Sequence, residues 1–163
     1  MASGDTLVVF SALHNEPPSS APATLDMRNQ HPVLDFDGGV NESAVFSAVM
    51  PRHYGGGGVT VHLHYAMSTA ESGDIDWDAT FERIGDQAQD IDADGFAPVN
   101  SLDGTTVPGT SGLVDIVAVT FVDGGDMDNV AVGESFRLKV TRDAVADSAA
   151  GDAELVKVEI KET

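Results

Sequence analysis

His62 and His64 are the side chains whose type and spacing most invite chemistry. They stand two apart in the stretch Gly58–Gly85, GVTVHLHYAMSTAESGDIDWDATFERIG. On a strand, residues i and i+2 project from one face, so the two rings could share a metal. Gly56 precedes the pair by a short step, as in a metal-binding strand motif. A carboxylate ligand should then follow closely and a further histidine later. Glu71 comes only seven residues after His64, and His14, His31 and His53 all precede the pair. The alternative is that both rings lie on a wet strand face opposite carboxylates.

A second candidate is Asp90-Ile91-Asp92-Ala93-Asp94-Gly95. Oxygens at alternate positions followed by a turn-permitting glycine open a calcium loop. Asp90, Asp92 and Asp94 match that opening. Ser101 then stands where the loop needs its bidentate glutamate, so a solvated acidic loop is the competing reading, with calcium the one cofactor in question. Nucleophilic catalysis has little support. The chain has no Cys and no Gly-x-Ser-x-Gly, and Thr110-Ser111-Gly112 follows Pro108-Gly109 as a turn would. No catalytic residue is assigned, and the expectation is a protein that is not an enzyme.

The elements that must position these residues read as strands. Val59, Val61, Leu63, Tyr65 and Met67 alternate with polar or small residues, and Ile75, Trp77, Ala79 and Phe81 do the same after a turn-rich connector. The simplest reading is a long antiparallel hairpin with one buried face, Tyr65 across from Trp77 and His64 across from Asp78. Shorter strands are expected at Thr6–Phe10, Thr24–Met27, Pro32–Phe36, Ser43–Met50, Phe136–Thr141 and Glu154–Ile160. Leu113–Val122, LVDIVAVTFV, is almost continuously apolar, the pattern of a strand covered on both sides or at a subunit contact. Eight or nine strands with turn punctuation and no long amphipathic helix predict an all-β fold, an antiparallel β-sandwich of jelly-roll type. Pro17, Pro18 and Pro22 with neighbouring serines set residues 1–22 apart as an arm, or an edge strand plus linker, before a single domain over residues 23–163.

Composition narrows the partners. The formal charge is -19, from 27 Asp and Glu against 8 Lys and Arg. Such a surface repels nucleic-acid phosphates and anionic bilayers, so neither nucleic acid nor membrane is an expected partner. Residues 1–20 have no basic start and no long apolar run, which predicts a soluble protein without a leader.

The runs ATLDMRNQHPVLDFDGG (Ala23–Gly39), VFSAVMPRHYGGGGVTVHLHYAM (Val45–Met67), FERIGD (Phe81–Asp86), GESFRLKVTRD (Gly133–Asp143) and GDAELVKVEIKE (Gly151–Glu162) resemble the small jelly-roll capsid decoration, or cement, proteins and head-fibre proteins of tailed bacteriophages. The resemblance implies a structural virion protein on the capsid exterior, a homotrimer bound to the major capsid protein. It implies no catalytic residue. On that reading the arm strand Thr6, Leu7, Val8, Val9 and Phe10, together with Arg28, Arg52 and His53, are the candidates for capsid or subunit contact, and many weak contacts would add through multivalency. Two other classes compete: a carbohydrate-binding sandwich, which usually shows exposed aromatics where this chain has one Trp and two Tyr, and a cupin-like metalloenzyme resting on His62 and His64.

Overall fold

The computed structural model describes residues 4–163, so the first three residues of the expected arm lie outside the described residues. Ten strands form two antiparallel sheets packed face to face, a β-sandwich of jelly-roll type. They are β1 (Thr6–Ser11), β2 (Thr24–Arg28), β3 (His31–Phe36), β4 (Glu42–Val49), β5 (Val59–Met67), β6 (Asp74–Ile84), β7 (Asn100–Thr106), β8 (Asp115–Phe121), β9 (Ser135–Arg142) and β10 (Ala153–Glu162). One sheet runs β2-β3-β10-β5-β8, with β1 also on β10, and the other runs β4-β9-β6-β7.

β10 is the strand that the first sheet is built on. One side pairs along its length with β5, while the other pairs through Ala153–Leu155 with β3 and through Lys157–Lys161 with β1. A register shift between Leu155 and Lys157 marks the handover; such a bulge adds a residue and lets one strand serve two partners at different angles. β2 and β3 form a hairpin in which Arg28 faces His31, so the turn is the two residues Asn29 and Gln30. Both have positive φ, 44° and 67°, the backbone of the primed turns that match strand twist.

The expected β5–β6 hairpin does not form. β5 belongs to the first sheet and β6 to the second, and Tyr65 and Trp77 meet across the core instead, ring centroids 5.6 Å apart at 64°. The alternation on each strand requires only that one face be covered, and covering by the opposite sheet satisfies it as well as pairing side by side. The core is then stitched by rings from both sheets: Phe36 on Trp77 at 5.2 Å, Phe81 on Phe121 at 4.9 Å and Phe10 stacked on Phe46 at 5.1 Å. The tenth strand, β7, was not expected from the sequence, because an edge strand reading NSLDGTT carries only Leu102 toward the core. For Leu113–Val122 the structure removes one of the two expectations, a strand covered on both sides. Val117, Val119 and Phe121 face the core while Leu113, Val114, Ile116 and Val122 stay exposed, so this run is an edge with one bare face.

One arginine ties the sheets together. Arg142, at the end of β9, is fully buried; its Nε donates to Asp147 Oδ2 (2.8 Å), Nη2 to the Ala149 carbonyl (2.7 Å) and Nη1 to the Gly151 carbonyl (2.7 Å). Nη1 also reaches the Phe36 carbonyl on β3 at 3.4 Å. The connector 143–152, which carries the chain from the second sheet to the first, is thereby folded around a guanidinium. The crossing is tight: a Cβ at Gly38 would lie 2.5 Å from the Gly151 carbonyl, and Gly151 itself has φ 79°.

Two outcomes check this packing by urea denaturation. Trp77→Ala should cost about 3–5 kcal/mol, as large core truncations do, and His62→Ala should change stability little. Arg142→Met should cost about 3–5 kcal/mol by leaving the buried Asp147 carboxylate unpaired, and Arg142→Met combined with Asp147→Leu should recover part of that loss.

Candidate binding site

The hollow with the most built-in chemistry lies on the outer face of the β10 sheet. Alternation puts Val33 of β3 and Ala66 of β5 outward, opposite Leu34 and Tyr65 in the core, yet both are buried. They are covered because the β2–β3 hairpin and the loop 110–114 rise on either side of them. The cavity between those walls has a volume of about 400 Å³, with Val33, Ala66, Val114 and Val156 as apolar lining and Arg28, His31 and Glu154 as polar lining.

Arg28, at the end of β2, and Glu154, near the start of β10, form an ion pair in this hollow. The glutamate side chain is 10% exposed and the arginine 36%, so the pair is half sheltered and one member remains reachable. Arg28 Nη1 also donates to the Met67 carbonyl at 2.9 Å, and the Gly112 amide donates to the same oxygen at 3.0 Å. One carbonyl at the end of β5 therefore anchors both walls. Nε and Nη2 of Arg28 make no hydrogen bond among the described residues.

Beside this pair, Asp35 faces outward from β3, with Oδ1 buried and unpartnered. Its carboxyl is pushed up to about 6, chiefly by burial and then by repulsion from Asp152, Glu154, Asp26 and Glu42. Asp35 thus sets a further acidic group next to Glu154, which lines the hollow. The linkage has a definite sign: a carboxyl whose folded value lies above its unfolded value of 3.8 destabilises the fold at pH above about 6 and ceases to do so as pH falls toward its unfolded value.

A second hollow, about 390 Å³, opens beside Tyr54, Asp123 and Asn129. There the Tyr54 hydroxyl donates to Asp123 Oδ1 at 2.7 Å and accepts from the Gly58 amide at 3.0 Å. Burial and the Asp123 hydrogen bond both push the phenol up, so it stays protonated and spends its donor inside the protein.

The residues singled out from the sequence fall in several places. His62 and His64 share the outer face of β5, as their spacing requires. His62 pairs with Glu159 and Ala118, its Nδ1 3.9 Å from Glu159 Oε2, while His64 pairs with Lys157 and Ile116. No carboxylate of β6 faces either ring, since β6 lies in the other sheet. Asp90, Asp92 and Asp94 sit on an exposed loop in which the Asp90 side chain and carbonyl close a turn on the Asp92, Ala93 and Asp94 amides. Among the described residues no three His, Asp or Glu side chains are grouped as metal ligands, the candidate residues Asp90, Asp92 and Asp94 and the pair His62 and His64 included. Of the arm strand, Phe10 is a core residue and Leu7 and Val8 pack against the core, which leaves Thr6 and Val9 facing out. Thr6 hydrogen bonds to Glu159. Arg52 and His53 are exposed, with the Arg52 guanidinium lying over Gly133. Only Arg28 enters the hollow. Glu154, Val33 and Ala66 were missed as site residues, and the available signal was the pair of outward apolar positions on strands whose outer faces are otherwise polar.

The fold defines a class, the jelly-roll sandwich, here with its first and last strands, β1 and β10, in one sheet. Solved structures of that class align over nearly the whole chain. They include the CBM22-1 xylan-binding domain of Paenibacillus barcinonensis Xyn10C (TM-score 0.52, 15% identity, 99% of this chain and 97% of that one) and a family 35 carbohydrate binding module from an environmental isolate (0.51, 12%, 96% and 94%). The xylan-binding module CBM15 aligns similarly (0.51, 11%, 96% and 97%). At these identities the likeness is one of fold. No protein-family model matches the chain, and no curated protein matches it by sequence.

Asp35→Asn should make the protein more stable at pH 7 and flatten the gain in stability that the parent shows between about pH 6 and pH 4. Parallel chemical denaturation of the two proteins across that range checks it, and an unchanged difference at both ends would refute the assignment to Asp35.

Proposed function

We propose that this chain is a non-catalytic recognition module that binds carbohydrate in the hollow between Arg28 and Val114. The observation that carries the reading is the hollow's composition: an apolar floor beside one ion pair with spare donors and acceptors. Sugars present C–H patches flanked by hydroxyls, and sites for them combine flat apolar area with a few placed polar groups. The similarity in fold to carbohydrate binding modules supports the same reading. Binding by such a surface needs no general acid, base or nucleophile.

A second reading, the capsid decoration homotrimer implied by the sequence resemblance, is favoured by a different feature. Leu113, Val114 and Ile116 are each more than half exposed around the edge strand β8, where a contact with a second copy or with a major capsid protein would cover them. On that reading the module sits on the exterior of a virion, and the strongly acidic surface keeps particles dispersed.

A glycan array probed with the labelled protein tests the first reading. It should retain a discrete set of glycans, and Glu154→Gln should weaken retention about tenfold, the loss of one buried charge-assisted hydrogen bond. Light scattering tests the second: a trimer that dissociates in Ile116→Asp supports it, and a monomer that does not bind undecorated capsids refutes it.

A further inference from the structure

We infer that the Arg28–Glu154 hollow grips the end of a neutral glycan, one or two sugar units, and not the interior of a polysaccharide chain or an acidic sugar. The inference deepens the carbohydrate reading and rests on it.

The shape comes first. A volume of about 400 Å³ lies at the small end of the roughly 300–1,000 Å³ typical of small-molecule sites. A polymer's interior needs a groove open at two ends. Here one end is shut where the loop 110–114 meets Arg28: a Cβ at Gly112 would lie 2.9 Å from Nη2, and Gly112 has φ 83°. Only glycine permits this approach comfortably, so the closure is written into the sequence. Gly112 and Arg28 both hang on the Met67 carbonyl, which holds the end wall in place.

The charge comes second. Among the described residues Arg28 is the only Lys or Arg lining the hollow, and Glu154 already neutralises it. Asp35, paired across the sheet with Glu154, adds negative charge beside the hollow, and Asp26 and Asp152 are close enough to repel it. A uronate or sulfate group would enter against that potential, in a protein of net charge -19. Neutral hydroxyls suit the site: Nε and Nη2 of Arg28 can donate to them, and the Glu154 carboxylate can accept from them while Arg28 holds it in position. Val33 and Ala66 then lie under the sugar's C–H face.

The test uses glycans of three kinds on one array: neutral, uronate-bearing and sulfated. Retained glycans are then competed with the free disaccharide of the same terminal sequence and with the full-length chain. The expected result is retention of neutral glycans, with disaccharide and full chain competing within about threefold of each other per chain end. Ala66→Leu, which fills the floor, and Val114→Arg, at an exposed rim position that folding does not depend on, should each lower affinity more than tenfold with the melting temperature of Val114→Arg unchanged. Affinity that climbs with chain length, or a preference for uronate or sulfate, overturns the end-on neutral assignment and leaves carbohydrate binding standing. Unchanged affinity in both variants overturns the placement in this hollow. Retention of no glycan at all overturns both this inference and the carbohydrate reading.

Discussion

The structure depends on one buried guanidinium. Arg142 sits at the end of β9 in the second sheet, yet its hydrogen bonds go to Asp147, to the Ala149 and Gly151 carbonyls and to Phe36 of the first sheet. A buried cation is tolerable only when its donors are used and a counter-charge is close. Both conditions are met by a connector that has no regular structure of its own, so the charge dictates the path of the chain from one sheet to the other. That path delivers Ala153 and Glu154 to their places between β3 and β5. The ion pair in the hollow is thus downstream of an arginine that never touches it.

A sandwich leaves its outer faces free for other uses, and the two faces differ. On the second sheet, Arg137 pairs with Glu82 at 2.9 Å, and Phe96 covers Arg137 and Lys139 at 5.2 and 4.6 Å from its ring centroid. The acidic loop 86–99 is laid over that face and fixed by the Ala97 amide on the Phe81 carbonyl at 2.9 Å. On the first sheet Val33 and Ala66 are sheltered by walls on two sides, with a hollow between those walls. The difference in covering, more than any difference in residue type, makes one face a hollow and the other a closed surface.

The sequence made the strands legible because each carries a period-two alternation against a single core, and nine of the ten were readable in that way. Pairing was not legible. Alternation on β5 and β6 is satisfied equally by a hairpin and by two strands facing each other across the core, and the six-residue connector Ser68–Gly73 allows either. Alternation puts Arg142, five positions after Arg137, on the apolar face of β9 with Phe136, Leu138 and Val140, but only the fold supplies the carboxylate and carbonyls that satisfy it there. The site was hidden for a related reason. Val33, Ala66 and Glu154 come from three strands distant in sequence, and only the register of β10 against both β3 and β5 brings them together. The motifs that looked chemical, His62 with His64 and the Asp90–Asp94 run, are local patterns that the fold does not draw into a group of three ligands among the described residues.

The central claim is that the outer face of the β10 sheet, at the Arg28–Glu154 pair, is where carbohydrate sits. The most direct measurement is a crystal structure of the protein soaked with a neutral oligosaccharide that it binds. The account predicts a sugar ring over Val33 and Ala66, its hydroxyls within hydrogen-bond distance of Arg28 and Glu154. A sugar lodged instead beside Tyr54 and Asp123, or on the Phe96 face of the other sheet, would contradict it.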